Sequence, residues 1–332
     1  MDLFMQHVKT LLTLLIGLFF SFSVHAGGGL SHMYLAEEAI TQLSDSTLRH
    51  VLLENKDAYL VGAHYPDSGF VPGTGYGEDS HWDPFIFTFA DYIKEKYRYP
   101  ELENPKLVAF LMGCASHRVS DEIIHFTFYP YVSEKDFNGN DFKAHKHGDI
   151  GIDMLVNIEK GRWRDHPKTW WVPVSDLLEV YHRMGLDQYT AEQITYGNSL
   201  LNIAGYLERV IALPTYPYLR WRMPWTAKNY YDWPQGGMLM DIEHIAKYQS
   251  NLWQRIKDAK SINVMTASNH KKYDYDSVMT RSAKQAFEDK IVRIVVNQHS
   301  DGSIELQSPL ITDQTKYRDF ISTLLREQIY SH

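Results

Sequence analysis

His117, Asp121 and His125 lie four residues apart in the run SHRVSDEIIH, and His145 and Asp149 repeat that step in AHKHGD. On a helix each step of four turns the side chain by only about 40°, so each run presents its imidazoles and carboxylates on one face. That mixture suits a borderline-soft divalent ion such as zinc. A single His/Asp pair is ordinarily a surface or capping pair. Two registered runs point instead to a metal centre holding more than one ion. Asp153 prolongs the second run by another four and competes with Asp149 for its last place, whereas His147 falls between the registered positions. Glu122 faces away from the ligand side.

Such a cluster has to be carried by a fold. The chain has 332 residues, a net charge of −8, 16 histidines and one cysteine. The negative balance leaves no basic footprint for duplex nucleic acid. Cys114 sits in the apolar run 107–115, which predicts a buried structural thiol and no disulfide. Residues 1–26 read as a signal peptide. Lys9 closes a polar start, Leu11 to Val24 is apolar, and Val24-His25-Ala26 offers a cleavage site. The apolar stretch is short against the ~20 residues of a membrane span. The expectation is a secreted or periplasmic protein with no transmembrane segment after signal removal.

Apolar periodicity predicts a mainly α domain over residues 27–260, with helices over 30–43, 84–97, 105–128, 149–159, 174–185, 191–213 and 239–257. The segment from Asp57 leads into a loop at His64-Tyr65-Pro66-Asp67-Ser68-Gly69, followed by a glycine-rich connection. Residues 214–237 are crowded with aromatics. They read either as packed scaffold or as an interfacial lid in which Trp221, Trp225 and Trp233 stand beside Arg220 and Arg222. A C-terminal extension, 261–332, carries a β-hairpin signature, with strands at 291–296 and 304–307 about the turn Asp301-Gly302, then a helix over 316–329.

His32 on the first helix, Asp67 in GAHYPD and His81 in SHWDPF extend the chemical set. The segments GLSHMYLAEEAI, KDAYLVGAHYPD, SHWDPF, LVAFLMGCASHRVSDEIIH, KAHKHGDIGIDML and WWVPVSDLLEVY follow in order across residues 29–215. In them the chain resembles the zinc-dependent phospholipase C family and its fungal single-strand nuclease relatives. Within that family it looks nearest to the catalytic domain of the glycosylphosphatidylinositol-specific phospholipases D. The resemblance implies an all-helical fold with three zinc ions in a cleft. Asp67, His81, His117 and Asp121 would hold one ion, and His125, His145 and Asp149 a second. The amino group of Gly27, freed by cleavage after Ala26, would hold a third with His32 and a bridging Asp121. The chain departs from the family pattern at Asp149, where bacterial phospholipases C carry Glu, and at Gly27, where many relatives carry Trp. It also departs at residues 261–332, which stand where the phospholipase D relative has a large repeat domain.

A pair of zinc ions could clamp a phosphodiester and acidify a water, with Asp67 orienting that water or taking its proton. His64 and Asp83 flank ligands and could support them by hydrogen bonds. The expected activity is hydrolysis of a phospholipid or glycolipid anchor at a membrane surface, of phospholipase C or D type. A single-strand nuclease or nucleotidase is the alternative from the same superfamily. A non-catalytic, membrane-associated zinc-binding protein is the alternative from another class, although carboxylate-rich sites usually keep open positions and structural zinc sites are closed.

Overall fold

The computed structural model describes residues 29–162 and 171–257 together with two short strands, 296–298 and 304–306. Its helices, in chain order, are α1 (Gly29–Ile40), α2 (Ser46–Glu54), α3 (Lys56–His64), α4 (Gly77–His81), α5 (Asp83–Lys96), α6 (Pro100–Glu103), α7 (Pro105–Ile123), α8 (Tyr129–Asp136), α9 (Asp141–Glu159), α10 (Val174–Arg183), α11 (Ala191–Arg222), α12 (Pro224–Asn229) and α13 (Met238–Lys257). A 3-10 turn over Pro66–Phe70 follows α3, and a π turn over Ile124–Phe128 follows α7.

The helix starts are written in the sequence. Asp45, Asn104 and Asn140 accept hydrogen bonds from Leu48 N, Leu107 N and Lys143 N at 2.8, 3.2 and 2.9 Å, capping α2, α7 and α9. Thr190 and Gln193 form a capping box that opens α11. Because Asn140 starts α9 eight residues before the expected boundary at Asp149, His145 and Asp149 share one helix.

α11 is also longer than expected. It continues through Pro214 and Pro217 to Arg222. Each proline removes one helix hydrogen bond, from the carbonyl four residues back. Those carbonyls belong to Val210 and Leu213, both exposed, so water meets the unpaired oxygens. The expected lid is thereby split. Trp221 ends the helix exposed, while Trp225 packs on Phe128 at a centroid distance of 5.4 Å and on Trp233 at 5.2 Å. Strands β1 (Val296–Gln298) and β2 (Ile304–Leu306) pair antiparallel, with Val296 opposite Leu306, so the hairpin is present with its first strand later than expected. Residues 1–26, expected to be a signal peptide, together with Gly27 and the helix expected at 316–329, lie outside the described residues.

α7 is the axis of the body, buried from Leu107 through Ile123 and including Cys114. Burial pushes the Cys114 thiol well above its usual range, as an inert core thiol requires. α3, α5 and α13 pack around α7, and α1 closes over α3 and α13. Two glycines set how closely α3 approaches α7. A Cβ on Gly62 would lie 2.2 Å from Phe110 O, and one on Gly113 would lie 2.1 Å from Tyr59 O. Both contacts are with backbone, so no side chain can yield. Gln249 of α13 donates to Tyr59 Oη and Met112 O, both at 2.8 Å, and Tyr59 donates to Ala36 O at 2.8 Å, so four helices are stitched at one level.

Gly113→Ala is expected to destabilise the protein by about 1–3 kcal/mol through overpacking. In thermal unfolding a chain of this size should lose roughly 2–4 °C per kcal/mol. An unchanged melting temperature would contradict the backbone contact.

Candidate metal centre

The eight predicted ligands within the described residues converge from six elements. α1 supplies His32, the 3-10 turn Asp67, α4 His81, and α7 both His117 and Asp121. The π turn supplies His125, and α9 supplies His145 and Asp149. Three sets have donor atoms within 4.8 Å of one another: His32/His117/Asp121, Asp67/His81/His117, and His125/His145/Asp149. The first two sets are buried, and the third is half-exposed at the mouth.

Asp121 is the hub. Its Oδ1 lies 2.9 Å from His125 Nε2 and 3.7 Å from His32 Nε2, and its Oδ2 lies 3.9 Å from His81 Nε2. Asp67 Oδ1 lies 3.4 Å from His81 Nε2 and 3.7 Å from His117 Nε2. His125 is also 3.9 Å from Asp149 Oδ1 and packs on the His145 ring at 4.4 Å. His117 belongs to two sets, a sharing that the stepwise spacing did not reveal.

The orientation of the histidines decides what the pocket can bind. His117 Nδ1 lies 2.9 Å from Ala63 O, and His81 Nδ1 lies 2.6 Å from Gly77 O. A carbonyl can only accept, so both Nδ1 atoms carry a proton. His117, held neutral by burial, presents an Nε2 lone pair, whereas burial of His81 is outweighed by Asp67 and Asp121, which favour a proton on its Nε2 when no cation is bound. His32 Nδ1 contacts Ser120 Oγ at 2.6 Å, and Ser120 in turn reaches the carbonyls of Ser116 and His117. With the Ser120 proton on a carbonyl, its oxygen accepts from His32 Nδ1–H, and His32 Nε2 is bare as well.

The Nε2 atoms of His81 and His117 stand 3.0 Å apart. Two lone pairs at that distance would repel, so a proton on His81 Nε2 or a metal cation must lie between them. Asp67 Oδ2 is buried with no hydrogen-bond partner among the described residues. Lone pairs and orphaned carboxylate oxygens converging on one point fit a divalent ion held by nitrogen and oxygen, which is the donor set of zinc.

Electrostatics agree. Burial, reinforced by neighbouring imidazoles, holds His32 down at about 4 and His117 well below its usual range, so both are neutral ligands at ordinary pH. Burial pushes Asp67 up to about 7 and Asp149 up to about 6, marking carboxylates that lack their positive partner. Burial alone would raise Asp121, but His125, His117 and His81 outweigh it and hold that group well below the usual carboxylate range.

Several residues take roles that the spacing alone did not assign. Tyr129, one further step of four beyond His125, donates to Asp149 and packs its ring on His125 at 5.0 Å and His145 at 4.9 Å. The ladder 117, 121, 125, 129 could have found it. Asp153 is not a ligand: it is fully buried and accepts from Leu30 N at 2.9 Å and Ser31 N at 2.8 Å, clasping the start of α1 beside His32. Glu208 hydrogen-bonds Asp153, and burial first, then the Asp153 charge, pushes Glu208 well above the carboxylate range. No pattern in the sequence marked it.

Asp83 instead pairs with Arg118, whose Nε is 2.8 Å away, and accepts from Tyr248 Oη at 2.6 Å. Glu122 pairs with the same arginine, away from the ligands. His64 is buried with its Nδ1 3.4 Å from Met33 Sδ. His147 stacks on Phe137 at 5.6 Å, and burial, with Arg222, Lys146 and Lys143 nearby, lowers it. No helix among the described residues is long and apolar enough to cross a membrane.

Residues 31–195 match the family model described as zinc dependent phospholipase C. Curated relatives include the phosphatidylinositol-glycan-specific phospholipase D of Homo sapiens, 31% identical over 219 residues that make up 62% of this chain and 25% of the relative. The enzyme of that name from Rattus norvegicus is 29% identical over 258 residues, 73% of this chain and 30% of the relative. The one from Dictyostelium discoideum is 27% identical over 196 residues, 56% and 20%. The chain thus spans between a fifth and a third of the length of these relatives. No solved structure matches it.

Zinc uptake must displace the protons that burial places on Asp67 and Asp149, whereas His32 and His117 are already neutral. As pH falls from 7.5 to 5.5 zinc affinity should therefore drop, by up to about tenfold per pH unit for each proton displaced. Calorimetric titrations in buffers of different ionisation enthalpy should register the released protons. Buffer-independent heats at pH 6 would contradict the raised carboxyls.

Proposed function

Because this chain belongs, through residues 31–195, to the zinc dependent phospholipase C family, we propose that it is an exported zinc-dependent phosphodiesterase acting on phospholipids or glycolipid anchors. What supports the metal chemistry most directly is the convergence of His81 Nε2, His117 Nε2 and the unpartnered Asp67 Oδ2 on one buried point, the two nitrogens 3.0 Å apart. What supports a lipid substrate is the sequence identity of 31% and 29% shared with relatives named phosphatidylinositol-glycan-specific phospholipase D.

In this reading the centre would hold three ions. Asp67, His81, His117 and Asp121 would hold the first, and His125, His145 and Asp149 the second. His32 and Asp121, with the Gly27 amino group that removal of residues 1–26 would free, would hold the third. Zinc in such a centre supplies Lewis acidity that offsets phosphate charge and acidifies water near neutral pH. The protein supplies the rest. Ser120 and the carbonyls of Gly77 and Ala63 fix the imidazole tautomers, so the ligands need not reorganise during reaction. Tyr129 holds Asp149 at the mouth. Asp67 uses Oδ1 toward His81 and His117, and its Oδ2 orients the attacking water and receives its proton. The water oxygen forms a bond to phosphorus, one ester P–O bond breaks, and the departing alcohol leaves with a proton. Breaking the glycerol-side bond is phospholipase C chemistry, and breaking the headgroup-side bond is phospholipase D chemistry.

Asp67→Asn keeps the shape of the side chain but not its basicity. It should cut diester hydrolysis roughly a thousandfold while folding, followed by circular dichroism, is retained. Activity equal to wild type would remove Asp67 from the reaction. The parent measurement is zinc content together with hydrolysis of choline, ethanolamine and inositol lipids, with and without a chelator. The phosphorylated product identifies the bond broken. Zinc bound with every lipid untouched would refute the lipid substrate, and hydrolysis indifferent to the chelator would refute the metal chemistry.

A further inference from the structure

A solvent-facing helix surface is ordinarily polar. The outer face of α11 is not. Ile203, Tyr206, Val210, Leu213, Pro217 and Trp221 recur at steps of three and four and are all exposed, with Leu213 at 70% and Trp221 at 73%. The stripe is roughly 27 Å long at 1.5 Å per residue. Exposed apolar continuity on that scale marks an interaction site rather than chance. From its geometry we infer that this face is a membrane-docking surface that seats the protein on a bilayer containing anionic lipid. The inference rests on the lipid reading above and adds to it the surface that would bring the substrate to the cleft.

Three observations select a bilayer as the occupant. The stripe mixes aliphatic side chains with Tyr206, Tyr218 and Trp221, the aromatic types that settle at a membrane–water interface. Cations gather at its Trp221 end. Arg220 and Arg222 close the helix, and the exposed Lys143 and Lys146 stand on the adjoining start of α9 beside Phe142, which is 62% exposed. Basic side chains beside an apolar face complement anionic headgroups, each contributing about 1 kcal/mol near the surface.

The third observation is continuity with the cleft. α9 also carries His145 and Asp149 of the half-exposed metal set. α11 lies against α9, close enough that a Cβ on Gly151 would fall 2.0 Å from Met223 Cε, just past the end of α11, and 3.7 Å from Leu219 Cδ2. On its inner side α11 presents Gly197, whose Cβ would fall 2.4 Å from Ser68 O in the turn that bears Asp67. One helix therefore borders both the apolar stripe and the metal cleft. A bilayer on the stripe would therefore sit one helix away from the metal cleft.

The test uses the full-length, zinc-loaded protein and the doubly substituted Val210→Glu/Leu213→Glu chain. Both positions are exposed and neither belongs to the metal centre. Binding is measured by sedimentation with phosphatidylcholine vesicles, with and without phosphatidylserine. Activity is measured on vesicle lipid and on a short-chain phosphodiester kept below its micellar concentration. The expected result is that wild type sediments preferentially with the serine-containing vesicles. The variant should lose at least tenfold in binding and in vesicle hydrolysis while keeping wild-type turnover of the soluble diester. Equal vesicle binding by variant and wild type would overturn the inference, as would light scattering that showed a wild-type dimer dissociated by the substitutions. Wild type that cleaves the soluble diester but ignores vesicles would overturn the docking surface and leave the catalytic reading standing. Wild type that binds vesicles through this face but cleaves no diester would do the reverse.

Discussion

The architecture depends on a near-contact of two backbones. Where α3 crosses α7, Gly62 and Gly113 leave no room for a side chain, and the helices meet carbonyl against Cα. That closeness brings Ala63 O within 2.9 Å of His117 Nδ1 and so dictates which nitrogen of His117 carries the proton. The tautomer leaves Nε2 to face the cleft. A steric fact about two glycines thus becomes a chemical fact about a ligand. The same logic recurs at Gly77 O with His81 and at Ser120 with His32, which suggests that imidazole orientation, more than ligand number, is what the helix packing secures.

The cleft concentrates groups that are costly to bury. Carboxylates and imidazoles converge where burial raises Asp67 and Asp149 and lowers His32 and His117. Without a cation, burial holds these groups away from their usual protonation states, and a proton must sit between the His81 and His117 nitrogens. Around this polar interior the protein places ion pairs that are already complete, such as Arg118 with Asp83 and Glu122, which join α5 to α7 and α13 through Tyr248. These pairs neutralise their own charge, whereas the lone pairs that face the cleft, such as Asp67 Oδ2, are left for a cation.

The candidate ligands on α7 and α9 were legible because helix periodicity is local: a step of four reads directly as one face. His32, Asp67 and His81 came from the family resemblance. The start of α7 at Pro105 was legible too, whereas the start of α9 at Asn140 was missed by eight residues. What was not legible depends on contacts distant in sequence. Asp153 continues the four-step pattern as well as any ligand does, yet it caps α1 across more than a hundred residues. Only the packing of α9 on α1 distinguishes it from Asp149. Glu208 stood in no motif, and its partner is known only from the fold. The passage of α11 through two prolines also escaped the pattern, because proline rules describe the bond that is lost and not whether water can replace it. The outward-facing stripe on α11 was equally hidden, since apolar periodicity announces a buried face by default.

Asp121 carries a consequence of another kind. One carboxylate lies within 4 Å of His32, His81 and His125, which come from three separate elements. In the proposed three-ion arrangement Asp121 would be shared by two of the ions, so the occupancy of one would change the charge that this carboxylate offers to the other. The two positions would therefore be coupled in their zinc affinity rather than independent.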